Sequence, residues 1–202
     1  MSHHDHDHHD HANHDHAAEY AAAIAQFRQG KDEYFKTEES PIAEDERATF
    51  GGLHYFPPDY ALRIEAKVER LPGGEHIQIA TSDNMTRLYE RYALLHFKID
   101  GTAQKLTAYR TTDSPTADDG DAALLFVPFR DALSGTLTYG AGRYLDVEEE
   151  PTVGKVNTVA ILDFNLAYNP YCAYNDNFSC PITPSENALP VAIRAGEQTY
   201  HQ

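Results

Sequence analysis

Leu62-Arg63-Ile64-Glu65-Ala66-Lys67-Val68-Glu69 is the stretch whose reading decides the fold. In an extended chain successive side chains point to opposite faces, so Leu62, Ile64, Ala66 and Val68 fall on one side and Arg63, Glu65, Lys67 and Glu69 on the other. That is the period of a half-buried β-strand. Leu71-Pro72-Gly73-Gly74 then turns the chain round, and His76 to Thr81 reads as the returning strand. Ser82-Asp83-Asn84 makes the next turn and leads into Thr86 to Ile99, a long strand or a bent pair. Asp100-Gly101 is a two-residue hairpin signal before Gln104 to Arg110. Thr111 to Asp121 is a polar loop, and Ala122 to Pro128 is a short apolar run bounded by turn residues, as a buried strand would be. Tyr144 to Val147 and Val156 to Phe164 add strands on either side of an acidic loop. Leu189 to Ile193, in a proline-rich tail, reads as an edge strand. Roughly eight to ten strands after one helix predict a mainly β fold, a β-sandwich or partly closed barrel.

Working outward to the N-terminus, Tyr20, Ile24, Phe27, the stem of Lys31, Tyr34 and Phe35 recur at three- and four-residue steps. This predicts an amphipathic helix over residues 17–39 that packs on the sheet, and Ser40-Pro41 ends it. Residues 40–202 then form one β-rich domain. Ser2 to His16 reads SHHDHDHHDHANHDH, with nothing to build a core, and residues 1–16 are expected to be a disordered head. Imidazoles and carboxylates at this density are ligands for zinc, nickel or copper. His3, His4, His6, His8, His9, His11, His14 and His16 are therefore candidates for loose metal binding or a metal-storage role.

The formal charge of -16 comes from 32 acidic against 16 basic residues spread along the chain, and neither nucleic acid nor an anionic membrane surface suits that balance. An acidic surface of this kind also fits a salt-rich cytoplasm. No apolar run is long enough to span a bilayer, no secretory leader pattern opens the chain, and two cysteines make no disulfide framework. A cytoplasmic location is expected.

Polar, aromatic and glycine residues concentrate between Phe126 and Asn187, beyond what a plain core or a plain surface requires. Gly135, Gly140 and Gly142 lack the spacing of a phosphate-binding loop and read as a bulge or tight hairpin. Arg130, Asp131, Arg143 and Asp146 sit beside apolar neighbours, where charges persist only when paired. They form either a structural network or, with Arg143 as a fork-shaped clamp, a site for an anionic ligand. Asp163 and Asn165 share a face, and Tyr144, Tyr168, Asn169, Tyr171, Glu186 and Asn187 can join them. Carboxylates with amide oxygens suit calcium or magnesium, or acid–base chemistry with Asp163 or Glu186 as the base. The alternative is local turn hydrogen bonding. Cys172 and Cys180 can give two metal ligands, two fewer than a structural zinc needs. Nothing in the sequence lowers the Cys172 pKa, so a small buried hydrophobe, or a disulfide under oxidation, is the expected role.

The order of Phe129-Arg130-Asp131, Ser134-Gly135, Thr138-Tyr139-Gly140-Ala141-Gly142-Arg143-Tyr144-Leu145-Asp146, Leu162-Asp163-Phe164-Asn165, Ala167-Tyr168-Asn169-Pro170-Tyr171-Cys172-Ala173-Tyr174, Cys180-Pro181 and Glu186-Asn187 resembles the bacterial and archaeal family catalogued as domain of unknown function 1684. The resemblance runs from about Phe50 to Glu197 and implies no activity. The residues themselves predict a β-domain binding a small anionic molecule in a polar and aromatic pocket. A hydrolase-type enzyme on the same site is the alternative.

Overall fold

The computed structural model describes residues 8–111, 124–150 and 158–201. Among the described residues, seven strands follow one long helix: α1 (His8–Phe35), β1 (Arg63–Arg70), β2 (His76–Ala80), β3 (Thr86–Ile99), β4 (Thr102–Thr111), β5 (Leu124–Phe129), β6 (Arg143–Glu150) and β7 (Thr158–Asp163). Every strand pairing is antiparallel, in the order β1-β7-β6-β5-β4-β3-β2, and β1 also pairs with β3. That extra pairing bends the sheet into a nearly closed barrel, the second of the two architectures the strand pattern allowed. The seams are short at β4–β5, where Tyr109 opposes Phe126, and at β6–β7, where Glu149 and Glu150 oppose Ala160 and Val159.

The length of β3 makes closure possible. Its first half pairs with β2 from Thr86 to Glu90, and its second half pairs with β1 from Ala93 to His96. A bulge between Arg91 and Ala93 on the β4 side separates the halves, and such an extra residue bends a strand and sharpens its twist. The expected β1–β2 hairpin is therefore corrected. Leu71-Pro72-Gly73-Gly74 does turn the chain, but β1 and β2 take successive halves of β3 rather than each other. The Asp100-Gly101 hairpin stands as read, joining Ile99 to Thr102 with both turn residues at positive φ, +49° and +77°. Leu189 to Ile193 forms no strand. It is held by Leu189 N–H donating to Arg130 O at 2.8 Å and Ala132 N–H donating to Val191 O at 3.0 Å.

Alternation sorts the two faces of the barrel. Ala66, Leu95, Phe97, Leu106, Ala108, Leu125, Val127, Phe129, Leu145, Val147, Ala160 and Leu162 fill the interior. Residues of opposite parity point outward, among them the large rings Tyr109, Phe126 and Tyr144. Tyr89 shares the parity of Leu95 but lies before the β3 bulge, which turns it to the outer face with Tyr109. Gly135, Gly140 and Gly142 lie in a run of turns between β5 and β6 instead of a strand hairpin. Gly142 has φ of +106°, and a Cβ there would stand 2.3 Å from Thr183 Oγ1 and 2.6 Å from Phe129 O, so no side chain fits.

The helix begins at His8, inside the tract that the sequence reading set outside it, and ends at Phe35, four residues before the expected boundary. His3, His4 and His6 lie outside the described residues, and His16 is exposed on α1. Polar bonds fasten α1 to the barrel. Tyr20 OH donates to both oxygens of Asp163 at 2.6 and 2.7 Å, Arg28 donates to Phe56 O at 2.9 Å, and Leu53 N–H donates to Asp32 Oδ1 at 3.0 Å. Lys31 bonds the buried carboxylate of Glu197, and Ile24 and Phe35 are buried. Among the described residues no helix is long and apolar enough to cross a membrane.

Candidate functional site

A cavity of about 1130 Å³ lies between α1 and the outward face of the barrel. Its floor is a run of rings across three strands and the loop after β7. Tyr89 stacks on Phe126 with centroids 5.5 Å apart, Phe126 meets Tyr144 edge-on at 4.8 Å, and Tyr144 meets Tyr168 edge-on at 5.7 Å. Offset and edge contacts of this kind hold rings rigid beyond the effect of burial alone. The roof is the face of α1 that carries Phe27, Gly30, Lys31 and Tyr34. Tyr171, Phe178 and Cys180 close the side.

Among the described residues, two cations and one carboxylate face this space. Arg87 is exposed at the rim and gives one N–H to Ser179 O at 3.0 Å. Lys31 Nζ lies 5.1 Å from the Tyr168 ring centre, within cation–π range, while bonding Glu197. Asp146 accepts from Tyr168 OH at 2.9 Å. It is open to the water of the cavity but has protein on its other sides, and that desolvation holds its carboxyl above the ordinary value against the opposing pull of the Tyr168 bond and Lys31. Burial likewise raises the phenols of Tyr144 and Tyr168, so both stay neutral donors.

Five residues proposed from the sequence thus line this cavity: Tyr144, Asp146, Tyr168, Tyr171 and Cys180. A second group is locked away. Arg143 is 1% exposed and donates to the backbone oxygens of Ile193 (3.1 Å), Glu197 (2.9 Å) and Ala195, and to Asp131 Oδ2 at 3.3 Å. Burial pushes its pKa down to about 10, although Asp131 and Glu197 oppose the shift. Asp131 accepts in turn from Ile193 N–H at 2.8 Å, Leu133 N–H at 3.3 Å and Thr138 Oγ1 at 3.2 Å. With its fork turned to backbone, Arg143 ties the C-terminal segment to the barrel and does not line the cavity. Arg130, beside it, pairs through its backbone with Asn187 and Leu189 and does not line the cavity.

Asp163 and Asn165 do share a place, at the end of β7, but as a clasp. Asn165 exchanges bonds with the Asp59 backbone at 2.8 Å in both directions, and Asp163 caps the turn Phe164–Leu166 while holding Tyr20. Glu186 bonds Arg91 and Tyr109, whose ring meets Tyr89 of the floor edge-on at 6.3 Å, but does not itself line the cavity. Asn187, fully buried, bonds Thr107 N–H and O at 2.8 Å and Pro128 O at 2.7 Å. Asn169 donates to Glu197 and Gln198 O. None of these residues lines the cavity, and each is bonded to other parts of the fold. Among the described residues no group of three or more His, Cys, Asp or Glu is placed to hold a metal ion.

Sequence reasoning missed Arg87, Tyr89, Phe126, Phe178 and the buried Glu197. The available signal was parity at Phe126 and Tyr144, which put rings at outward strand positions where a solvated face would carry polar groups. Tyr89 has the parity of Leu95 and Phe97 and reaches the outer face only through the bulge in β3.

These features define a class of protein, a nearly closed antiparallel barrel whose outer face carries an aromatic cavity under an N-terminal helix. The chain belongs to the family described as protein of unknown function DUF1684, whose profile matches residues 48–198. It is similar to an uncharacterised protein of Haloarcula marismortui with a known solution NMR structure: 38% identity, TM-score 0.69, covering 93% of this chain and 98% of that one. No curated protein matches the chain. The floor of the cavity falls within the family match, whereas its roof on α1 precedes it.

Proposed function

We propose that the protein binds a small anionic molecule with an apolar, ring-bearing body in the cavity beneath α1. The observation that carries this reading is the run Tyr89, Phe126, Tyr144, Tyr168, a preformed aromatic floor in a space large enough for a small organic ligand. Ring faces supply the apolar contact, and the phenols of Tyr144 and Tyr168 spend their protons on Pro181 O and Asp146. Anionic character follows from Arg87 and Lys31 at the wall, where a guanidinium offers five N–H donors and an ammonium three.

Gly30 provides the test. It lines the cavity, lies in mid-helix, and a Cβ built there meets nothing within 4 Å, so a large side chain can enter the space without displacing backbone. The protein contains no tryptophan, which makes Gly30→Trp an internal reporter as well. Wild-type protein titrated with the aromatic sulfonate 8-anilinonaphthalene-1-sulfonate is expected to show saturable fluorescence at one probe per chain. Gly30→Trp should weaken binding at least about tenfold while keeping or raising the melting temperature, because glycine in a helix interior costs about 1 kcal/mol. Binding that never saturates, or that Gly30→Trp leaves unchanged, would overturn the reading.

A further inference from the structure

Outside the ring floor, the chain brings its two sulfurs together, and their surroundings differ. Cys180 is buried and its segment is pinned: Ser82 N–H donates to Cys180 O at 2.9 Å, Cys180 N–H donates to Ser82 Oγ at 3.1 Å, and Pro181 bridges Thr81. Cys172 is half-buried on the turn Tyr171–Ala173, and its N–H donates to Cys180 Sγ at 3.2 Å. Tyr139 OH stands 3.7 Å from Cys172 Sγ. Thus Cys172 is the more exposed sulfur and has hydrogen-bonding neighbours, while Cys180, at the side of the cavity, is more deeply buried and already in contact with it.

We propose that Cys172 and Cys180 form a peroxide-responsive dithiol, with Cys172 as the attacking sulfur and Cys180 as the resolving one. The thiolate is the attacking form of a cysteine. A hydrogen bond from the Cys180 thiol, joined by Tyr139 OH and Ser82, holds the Cys172 thiol below its ordinary value, while the same bond and burial raise Cys180. The sequence showed no neighbour able to do this, because Tyr139, Ser82 and Cys180 reach Cys172 only through the fold. In the first step Cys172 thiolate attacks one oxygen of hydrogen peroxide and the O–O bond breaks. The hydroxide released takes a proton to become water, leaving Cys172 sulfenic acid. In the second step the Cys180 sulfur, giving up its proton, attacks the sulfenic sulfur. The S–O bond breaks, the departing hydroxide takes that proton, and a second water leaves as the Cys172–Cys180 disulfide forms. Two thiols are oxidised by two electrons and one peroxide is reduced to two waters; a thiol reductant restores the pair by exchange.

The experiment uses the reduced full chain, equimolar hydrogen peroxide and intact-mass spectrometry. Wild type is expected to lose the mass of two hydrogens as a monomer and to regain it with dithiothreitol. Cys180→Ser should stop at a sulfenic acid that dimedone traps on Cys172, and Cys172→Ser should lose the reaction. Should either variant fail to fold, alkylation of the wild type by iodoacetamide followed by peptide mapping decides the roles, with Cys172 expected to react first. An unchanged wild-type mass, oxidation only as a disulfide-linked dimer, undiminished reaction of Cys172→Ser, or prior alkylation of Cys180 would each overturn the proposal.

Discussion

The two faces of β6 make opposite use of polar and aromatic chemistry. Arg143, Leu145 and Val147 point inward, where Arg143 meets the Phe129 ring at 5.2 Å and spends its donors on three backbone oxygens and Asp131. Tyr144 and Asp146 point outward into the cavity. One residue of spacing separates a closed network from an open one. A charge among apolar neighbours is thus no sign of a ligand site by itself. What distinguishes a site is whether its hydrogen bonds are already taken, and Arg143 is fully committed whereas the rim Arg87 is exposed.

The sharpest way to break this comparison is Arg143→Met. Removing one partner of a buried ion pair costs about 3–5 kcal/mol, because it strands Asp131 without its counter-charge. For a chain of this size that is a fall in melting temperature of roughly 6–20 °C, measurable by circular dichroism. Affinity for the aromatic sulfonate, measured below the transition, should stay at the wild-type value. A specific loss of binding with unchanged stability would place Arg143 in the site after all.

Tyr20→Phe has a middling effect and probes the join between the two regions. It removes the bonds to Asp163 that fasten the helical roof, at an expected cost of about 1–2 kcal/mol. Amide exchange should quicken along the N-terminal part of α1 while β5 and β6 keep their protection. Uniform loss of protection over the whole barrel would show that α1 is part of the cooperative core rather than a cover.

The smallest effect on stability belongs to Asp146→Asn, and it acts on the outer face alone. The folded carboxyl has a pKa above its ordinary 3.8, so its contribution to stability is fully present below that value and is lost as pH rises through the raised folded value. The amide should flatten that part of the pH–stability curve. The same carboxylate repels an anion once ionised, so sulfonate binding should tighten as pH falls through the raised value in wild type and lose that dependence in Asp146→Asn. Identical pH profiles for the two proteins would remove Asp146 from the site.

Local pattern alone placed the barrel strands, the Asp100-Gly101 hairpin and the helix around Tyr20 to Phe35, because period, turn chemistry and composition act over a few residues, and it added one strand, Leu189 to Ile193, that does not form. It also marked β6 and the loop after β7 as holding candidate site residues, and Tyr144, Asp146 and Tyr168 of that stretch line the cavity. Tertiary structure alone decided the rest. That β1 pairs with β3 and closes the barrel depends on partners far apart in sequence and on the two halves of one long strand. That Arg143 turns to Ile193, Ala195 and Glu197 follows from a C-terminal segment with no periodicity to announce its path. The cavity itself needs rings from β3, β5 and β6 to meet a helix that precedes them all, and the lowered Cys172 thiol needs Tyr139, Ser82 and Cys180 around it. Such sites are made by distance in space, which a linear pattern does not carry.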